Sequence, residues 1–446
     1  MDTIVAIATS VGRSAIGVVR LSGPDSLQIL RALVHDSSFT PEPRKLYLKE
    51  VVKESGEAID SALLAYFEAP HSFSGEDMVE ISCHGSPVVL RGVLDLTQRL
   101  GARLAGPGEF TLRACRNGKM NLAQAEAVRD LINAHTEAAS SQALRQLKGE
   151  LSLALLPAQQ GLIDVIVRLE SALEFVEDDL PQLEMAQLGQ VLVQVEGEIR
   201  KLAATFEIGR AVRDGINVAI VGSPNAGKSS LFNRLVGRER AIVTEEAGTT
   251  RDTISESITL RGIPVLFTDT AGIRVTDGRI EQLGVERSYR AAADADLLLV
   301  VIDGAKELST DDESILAGAS SAKHIVALNK SDLPQRRQSL NSSKVVHVSA
   351  VTGEGLDELV AAILEPFGNV DSEAAGLLIT DSRHFDLLCR AEQSLKDSRE
   401  LLNQGASEEI VLVGLHNALR FLGEITGETT ADDILAEIFS TFCIGK

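Results

Sequence analysis

The stretch 222–229, Gly-Ser-Pro-Asn-Ala-Gly-Lys-Ser, has the spacing G-x-x-x-x-G-K-[ST] that suits a bound phosphate chain. Its glycines let backbone N–H groups turn toward phosphate oxygens. Lys228 can reach the β- and γ-phosphates, and Ser229 can bind Mg²⁺. An apolar run at 216–221 precedes the stretch and helix-forming residues follow it, so a helix N-terminus adds its dipole. A nucleoside-triphosphate site explains this pattern better than a simple glycine-rich turn.

Two later segments supply groups that suit a bound Mg²⁺ and a terminal phosphate. The segment GTTRD at 248–252 offers Thr249 and Thr250, one of which can bind the ion. The segment LFTDTAG at 266–272 ends a strand-like run at Asp269, which is placed to hold the water shell of the ion. The N–H of Gly272 can face the γ-phosphate.

A further pair of segments indicates which base is bound. Asn329, Lys330 and Asp332 follow the apolar run IVAL, and Ser349 and Ala350 follow the run VVHV. Guanine presents N1–H and a 2-amino group side by side, and one carboxylate accepts both, whereas adenine has no such pair of donors. A buried carboxylate without partners is costly, so Asp332 should select GTP over ATP.

The residue after Asp-Thr-Ala-Gly272 is Ile273, where a Ras-type enzyme has a glutamine that orients water. Isoleucine cannot do this, so another residue must, and the segment 273–287 contains both Glu and Arg. Asn225 and the oxygen-rich segment TEEAGTT at 244–250 could surround a monovalent cation that replaces an arginine finger. Alternatively, Asn225 only stabilises the turn of its loop.

The elements that must position these residues change in type along the chain. Short alternating strands and one helix up to residue 118 predict an α+β domain, and long amphipathic helices follow over 119–213. Strand–loop–helix units over 214–369 predict a P-loop α/β module, and helices return over 370–446. The simplest arrangement is one helical domain interrupted by an inserted module.

Length and charge restrict the class of protein. A chain of 446 residues should hold two to four domains, and a net charge of −21 argues against a free-standing nucleic-acid binder. Residues 91–119 are locally basic and form either a solvated face or an anion-binding surface: Arg91, Arg99, Arg103, Arg113, Arg116 and Lys119 stand against Asp95 and Glu109.

Cysteine usage and hydropathy indicate a cytoplasmic protein. The four cysteines show no CxxC spacing, so a zinc site or a disulfide framework is not expected. The acidic N-terminus is unlike a secretory signal, and the apolar run 297–302 is too short to cross a membrane.

The chain ends in FSTFCIGK at 439–446, which places Cys443 four residues from the end. The final Lys446 and the acidic residues before it argue against prenylation. One helical face carries Ile434, Leu435, Ile438, Phe439 and Phe442, so this helix should dock and hold the last residues in a fixed place.

Several segments together resemble the MnmE (TrmE) family of tRNA-modification GTPases. They are SPNAGKSS, TEEAGTTRD, HSFSGEDMVEISCHG, GPGEFTLRACRNGKMNLAQAEAVRDLI and the closing FSTFCIGK. The resemblance covers essentially the whole chain. It implies an N-terminal α+β domain that binds folate and dimerises, a central helical domain, and an inserted Ras-like P-loop G domain.

The resemblance also implies a function. Members of this family act with a flavin-dependent partner, the FAD protein MnmG (GidA), in a heterotetramer or larger assembly on tRNA. They add an aminomethyl or carboxymethylaminomethyl group to C5 of the wobble uridine, with a one-carbon unit from 5-formyltetrahydrofolate or a related tetrahydrofolate. Their G domains dimerise across the nucleotide in a potassium-dependent way, with Mg²⁺ and GTP or GDP bound, and no membrane is involved.

Matching the family motifs onto this chain implies the following site residues. The K⁺ ligands match Asn225, Thr244, Glu246 and Thr249, and the Mg²⁺ ligands match Ser229 and Thr250. The catalytic residues match Glu281, which would orient water, and Arg274 beside it. The folate contacts match Arg20, Glu80, Lys119 and Lys446.

The remaining nucleotide contacts fall in the same loops: Ala226, Gly227, Lys228, Ser230, Glu245, Ala247, Gly248, Asp269, Thr270, Ala271, Gly272, Asn329, Lys330, Asp332, Ser349 and Ala350. The C-terminal end should lie near the folate, where Cys443 has either a chemical or a positional role. Cys83 and His84 are assigned no catalysis. Two rival functions are a regulatory GTPase for ribosome assembly and a folate enzyme with a vestigial G domain. The acidic charge argues against the first and the intact nucleotide motifs against the second.

Overall fold

The computed structural model describes residues 2–10, 12–174, 182–237, 255–269, 295–335, 344–368, 376–428, 435 and 438–445. The chain forms two compact units. The first comprises Met1–Ile132, Gln146–Ala154 and Arg420–Lys446, and the second comprises Asn133–Arg145 and Leu155–Leu419. The domain boundaries drawn from the sequence at residues 118, 213 and 369 stay predictions.

The first unit is built on a six-stranded sheet in the order β3-β4-β5-β2-β1-β6, in which only β1 and β6 pair in parallel. The strands are β1 (Ile4–Ile7), β2 (Ile16–Ser22), β3 (Leu46–Val52), β4 (Ala58–Phe67), β5 (Met78–His84) and β6 (Arg103–Leu104). Strand β3 was not predicted from the sequence. It forms one edge of the sheet, and its two exposed leucines, Leu46 and Leu48, obscure the alternation of apolar and polar residues.

Helices α1 (Ser26–Leu33) and α2 (Pro87–Arg99) cover one face of this sheet. On the other face, Phe110 of α3 (Glu109–Arg116) packs against Ile4 and Ala6 of β1, and α4 (Leu122–Asn133) follows α3 along the chain. Leu30 of α1 and Val93 of α2 are buried with Val19 and Ile81 of the sheet in one core cluster. Pro87 suits the first turn of α2, because its fixed φ is helical and its missing N–H needs no partner there. Helix α2 is one of the helices before residue 118, where the sequence predicted a single one.

Arg113 on α3 corrects the interpretation of the basic stretch 91–119 as an exposed surface. Its residue exposure is only 6%, so it belongs to the interior. Its guanidinium donates to the carboxylates of Glu76 at 3.0 Å, Glu109 at 3.0 Å and Asp2 at 2.8 Å, and to the Asp2 carbonyl at 2.7 Å. A charge this buried needs such partners. Arg113 therefore stabilises the fold and is not available to a large anion.

The second unit contains a six-stranded sheet in the order β12-β11-β10-β7-β9-β8, parallel except for the β8–β9 hairpin. Its strands are β7 (Ile216–Val221), β8 (Ser255–Leu260), β9 (Ile263–Asp269), β10 (Leu297–Asp303), β11 (His324–Asn329) and β12 (Val345–His347). Every residue of β10 is buried, as expected for a central strand of a parallel sheet with both faces covered.

The remaining helices belong mainly to the second unit. They are α5 (Glu137–Leu147), α6 (Glu150–Glu174), α7 (Gln182–Ala203), α8 (Phe206–Asp214), α9 (Lys228–Val236), α10 (Thr310–Ala319), α11 (Leu356–Leu364), α12 (Ser382–Asn403) and α13 (Glu408–Thr426). Residues Glu150–Leu173 of α6 are long and apolar enough to cross a membrane by length and composition alone. Leu155, Leu162 and Leu169 on this helix are fully buried at regular spacing, which is typical of a core helix.

Candidate functional site

The phosphate-binding loop connects the carboxyl end of β7 to the start of α9. Gly227 precedes α9 with φ at +93°, and a Cβ there would lie 2.2 Å from Nδ2 of Asn329, so only glycine fits. Lys228 begins α9, and its Nζ donates to the carbonyls of Gly222 at 2.8 Å and Ser223 at 2.9 Å. The loop therefore presents a lysine and the first-turn N–H groups of a helix at one place.

Asn329 links the phosphate-binding loop to the two base-recognition segments. It ends β11 and is 1% exposed. Its Nδ2 donates to the Ala226 carbonyl at 2.9 Å, and its Oδ1 accepts from the backbone N–H groups of Lys330 at 2.8 Å and Ala350 at 3.1 Å. Three segments that are distant in the sequence thus meet at one buried amide.

The predicted base-reading carboxylate is oriented by the neighbouring segment. The hydroxyl of Ser349 donates to Oδ1 of Asp332 at 2.6 Å and itself accepts from the Thr352 N–H at 3.0 Å. Ser349 is fully buried whereas Asp332 is exposed, so the interior holds the hydroxyl in place and leaves the carboxylate open to a ligand. It fixes the Asp332 carboxylate, which suits recognition of a rigid pair of N–H donors.

The structure therefore brings together eight predicted nucleotide residues: Ala226, Gly227, Lys228, Asn329, Lys330, Asp332, Ser349 and Ala350. Ser229 and Ser230 lie exposed on the first turn of α9, and Asn225 has a left-handed φ of +63°. The backbone of Asp269 ends β9.

The other predictions for this site concern residues outside the described ranges. They are Thr244, Glu245, Glu246, Ala247, Gly248, Thr249, Thr250, Thr270, Ala271, Gly272, Arg274 and Glu281.

A second candidate site lies on the first unit. Nε and Nη2 of Arg20 donate to Oε1 of Glu80 at 3.0 Å and 2.7 Å, across the register pair that joins β2 and β5. The guanidinium carbon lies 5.7 Å and 5.9 Å from the ring centroids of Phe73 and Phe110. Two of the four predicted folate residues therefore form one ion pair beside aromatic rings, a setting that suits a flat heterocycle with polar edges.

The C-terminal segment lies against this ion pair. Pro107 and Ile444 form a bridge, and the Gly108 N–H donates to the Cys443 carbonyl at 3.3 Å. Nη1 of Arg20 donates to the Gly445 carbonyl at 3.4 Å. Gly445 has φ +97°, and a Cβ there would lie 2.5 Å from the Ile7 carbonyl oxygen, so the close approach requires glycine.

The predicted docking face of this segment is confirmed where the structure describes it. Phe439 and Phe442 are buried with Leu122 and Ala125 of α4 in one core cluster. Among the folate residues, Nζ of Lys119 donates to the Pro70 carbonyl at 2.9 Å. Ile434 and Lys446 lie outside the described residues.

The cysteines differ in their capacity for chemistry. Burial raises the pKa of the Cys83 thiol to about 12, with a further contribution from the Asp60 carboxylate. Burial likewise raises the pKa of Cys115 to about 12, beside Glu126. Thiols with such pKa values are not nucleophiles at neutral pH, which supports leaving Cys83 without a catalytic role. Cys443, by contrast, is exposed.

Sequence reasoning missed Phe73, Phe110 and Asp303. The two phenylalanines gave no signal beyond their place in segments that carry the family resemblance. Asp303 did offer a signal, because it ends the run LLLVVID, and an acid at the carboxyl end of a buried parallel strand lies at the edge where ligands bind.

Comparisons with known proteins identify the family of this chain. The family described as "MnmE helical domain" matches residues 122–443, well over half of the chain. The chain belongs to the MnmE family. A second family, "GTP-binding protein TrmE N-terminus", matches residues 3–119. Membership of the MnmE family confirms the predicted fold class, an N-terminal α+β domain followed by a helical domain and a P-loop G domain.

Full-length relatives carry the same family name. The "tRNA modification GTPase MnmE" of Aquifex aeolicus is 45% identical over 100% of both chains. The proteins of that name from Koribacter versatilis and Laribacter hongkongensis are 44% and 43% identical, each over 100% of this chain and 99% of their own.

The geometry of the MnmE-type base pocket predicts a change of nucleotide preference in Asp332→Asn. The amide can donate to the 2-oxo group of xanthine but cannot accept both N–H groups of guanine. We expect GTP to bind about a hundredfold more weakly, which corresponds to about 2.7 kcal/mol, and xanthosine triphosphate to bind better than in the wild type. A competition assay measures both. Unchanged preference between the two nucleotides would contradict the role of Asp332.

Proposed function

We propose that this chain hydrolyses GTP and takes part in the modification of the tRNA wobble uridine at C5. The observation that carries the proposal is the meeting of the phosphate-binding loop, Asn329 and the Asp332–Ser349 pair at one edge of a parallel sheet. The relatives named tRNA modification GTPase match the chain from end to end, which supports extending their activity to it.

The chain's own residues supply most of what GTP binding needs. Lys228 and the N-terminus of α9 neutralise the phosphates, and the oriented carboxylate of Asp332 reads the guanine. Ser229 and Thr250 would hold Mg²⁺, with Asp269 on its water shell. The ion would supply charge neutralisation between the β- and γ-phosphates. Ser229 is exposed on the first turn of α9, a position that fits this role.

A monovalent cation is part of the proposal. Asn225, Thr244, Glu246 and Thr249 would hold K⁺, which would supply the positive charge that an arginine finger provides elsewhere. Asn225 lies exposed in the phosphate-binding loop with a left-handed φ, which fits this role. Glu281 would orient the attacking water in place of Ile273, and Arg274 would assist it.

The Arg20–Glu80 pair is proposed to bind a one-carbon tetrahydrofolate such as 5-formyltetrahydrofolate. Glu80 would accept from the N–H pair of the pterin, and the partly exposed ring of Phe73 would pack against it, while the buried Phe110 supports Arg20 from the interior. Lys119 and Lys446 would meet the acidic tail. Cys443 lies next to the Pro107–Ile444 bridge, which fits a positional role, and its thiol is exposed, which fits a chemical role.

A homodimer is proposed through the face of the first sheet opposite α1 and α2, where it is exposed at β2, β3 and β4. Leu48 pairs directly with Leu63, and both are exposed, as are Leu46 and Ile16 on the same face. An apolar sheet face of this kind favours a partner surface. The register places Arg20 and Glu80 in the same row as Leu46 on that face, so a second copy would lie close to the folate pair.

The FAD-dependent protein MnmG is the proposed partner in a cytoplasmic assembly on tRNA. A net charge of −21 and the burial of Arg113 argue that the partner supplies most of the tRNA contacts. In cells that lack this chain, tRNA should lose the C5-modified wobble nucleosides. Wild-type protein should restore them and Asp332→Asn should not, as measured by nucleoside mass spectrometry. Normal nucleoside levels in the deleted cells would contradict the proposed function.

GTP turnover should depend on the alkali cation. We expect hydrolysis in potassium buffer to exceed that in sodium buffer by at least about tenfold, because Na⁺ is too small for a cage sized for K⁺. Asn225→Ala should lose most of this difference while its GDP affinity changes little. Equal turnover in both salts would rule out the cation site. If GTP is hydrolysed in neither salt, the result would favour a vestigial G domain.

Binding of 5-formyltetrahydrofolate should require the Arg20–Glu80 pair. Calorimetry of the full chain should give a clear heat for the wild type and a loss of affinity of at least about tenfold for Glu80→Gln, since the neutral amide accepts the pterin N–H pair less strongly. Glu42→Gln, which alters an exposed ion pair with Lys45, is the matched control and should bind normally. Equal heats for all three proteins would exclude this pair as the folate site.

A further inference from the structure

Asp303 lies at the carboxyl end of β10, between the phosphate-binding loop and the base-recognition segment. Strand β10 pairs in parallel with β7 on one side and β11 on the other, and Asp303 is the register partner of Asn329. Asp303 is 9% exposed. A carboxylate this buried must be compensated by specific partners, so its contacts indicate what it is for.

Those contacts are dominated by Lys330. Oδ2 of Asp303 lies 2.7 Å from Nζ of Lys330, and Oδ1 accepts from the N–H of Ala305 at 3.0 Å. Lys306 approaches only to 3.9 Å, and its side chain is 71% exposed, so it contributes little. The carboxylate therefore acts mainly on the ammonium group of Lys330.

Lys330 connects the base-recognition segment, which contains its backbone, to the phosphate-binding loop, which its side chain reaches. Its backbone has a left-handed φ of +67° and its N–H donates to Oδ1 of Asn329 at 2.8 Å. Its Nζ reaches across to the Asn225 carbonyl at 3.2 Å while it pairs with Asp303. The four-carbon stem thus spans from the segment that carries Asp332 to the phosphate-binding loop, along the edge of the base pocket.

We propose that Asp303 is a positioning residue for guanine recognition and acts through Lys330. Its charge holds the ammonium at the phosphate-binding loop, so the apolar stem of Lys330 stays in place as a wall of the base pocket. Without it, the ammonium is drawn into water, because a single carbonyl is a weaker partner than a buried carboxylate. This inference rests on the proposed binding of GTP and names a residue that sets its affinity.

The direction of the change in GDP affinity on removing the Asp303 charge distinguishes two roles for this residue. A carboxylate near the phosphates repels them, so its removal by itself should tighten binding of GDP. Loss of the Lys330 contact should instead weaken binding. The direction of the change therefore separates positioning through Lys330 from a simple effect of charge.

The test measures the dissociation rate of N-methylanthraniloyl-GDP from the full chain by stopped flow. Asp303→Asn should accelerate dissociation about tenfold, equivalent to about 1.4 kcal/mol. Asp296→Asn is the matched control, since it removes a part-buried carboxylate just before β10, at the far end of that strand, where Arg210 and the Asn217 N–H are its partners. That variant should keep the wild-type dissociation rate, even if it lowers thermal stability as much as Asp303→Asn does.

A double-mutant cycle with Lys330→Met decides whether Asp303 acts through Lys330. In the Lys330→Met background, Asp303→Asn should change the dissociation rate by less than about twofold. The inference is overturned by an equal effect in both backgrounds, by an unchanged or slower rate in Asp303→Asn, or by an equal acceleration in Asp296→Asn. If the wild type itself fails to bind the nucleotide, the proposed function fails first and the inference falls with it.

Discussion

Parallel pairing of β7, β10 and β11 is the constraint on which the nucleotide site depends. These strands place their carboxyl ends at one edge, so Gly222, Asp303 and Asn329 come together although they are far apart in the sequence. A slip of one residue in β11 would turn Asn329 to the opposite face of the sheet and break its contacts with Ala226 and Ala350. The register is held by burial, since β10 is buried along its whole length.

Several cations of this acidic chain form ion pairs that hold side chains in place at the two candidate sites. Among the described residues, Arg20 pairs with Glu80, Arg113 with three carboxylates, and Lys330 with Asp303. Each pair fixes a side chain next to a proposed ligand or beneath it. Cations paired in this way fix the positions of side chains. They do little to attract a distant polyanion, because each cation is neutralised by its partner. This argues that tRNA is held mainly by another protein.

The closing segment of the chain shows how packing and a proposed ligand site are joined. Phe439 and Phe442 dock on α4 and thereby carry the Gly445 carbonyl to the guanidinium of Arg20. Gly108 and Gly445 both need to be glycine, because a Cβ at either position would collide with the facing backbone or side chain. The end of the chain is therefore part of the wall beside the Arg20–Glu80 pair.

The sequence by itself determined the motifs, the element types around them and the family, because these depend on local spacing: a phosphate loop between strand and helix, an apolar helical face before Cys443. Through the family resemblance, the sequence also indicated Arg20 and Glu80 as site residues. Only the tertiary structure decided that Arg113 is interior, that Phe73 and Phe110 flank Arg20, and that Asp303 holds Lys330. Those facts depend on pairings between distant segments, and a charged or aromatic residue looks the same in the sequence whether such a partner exists or not.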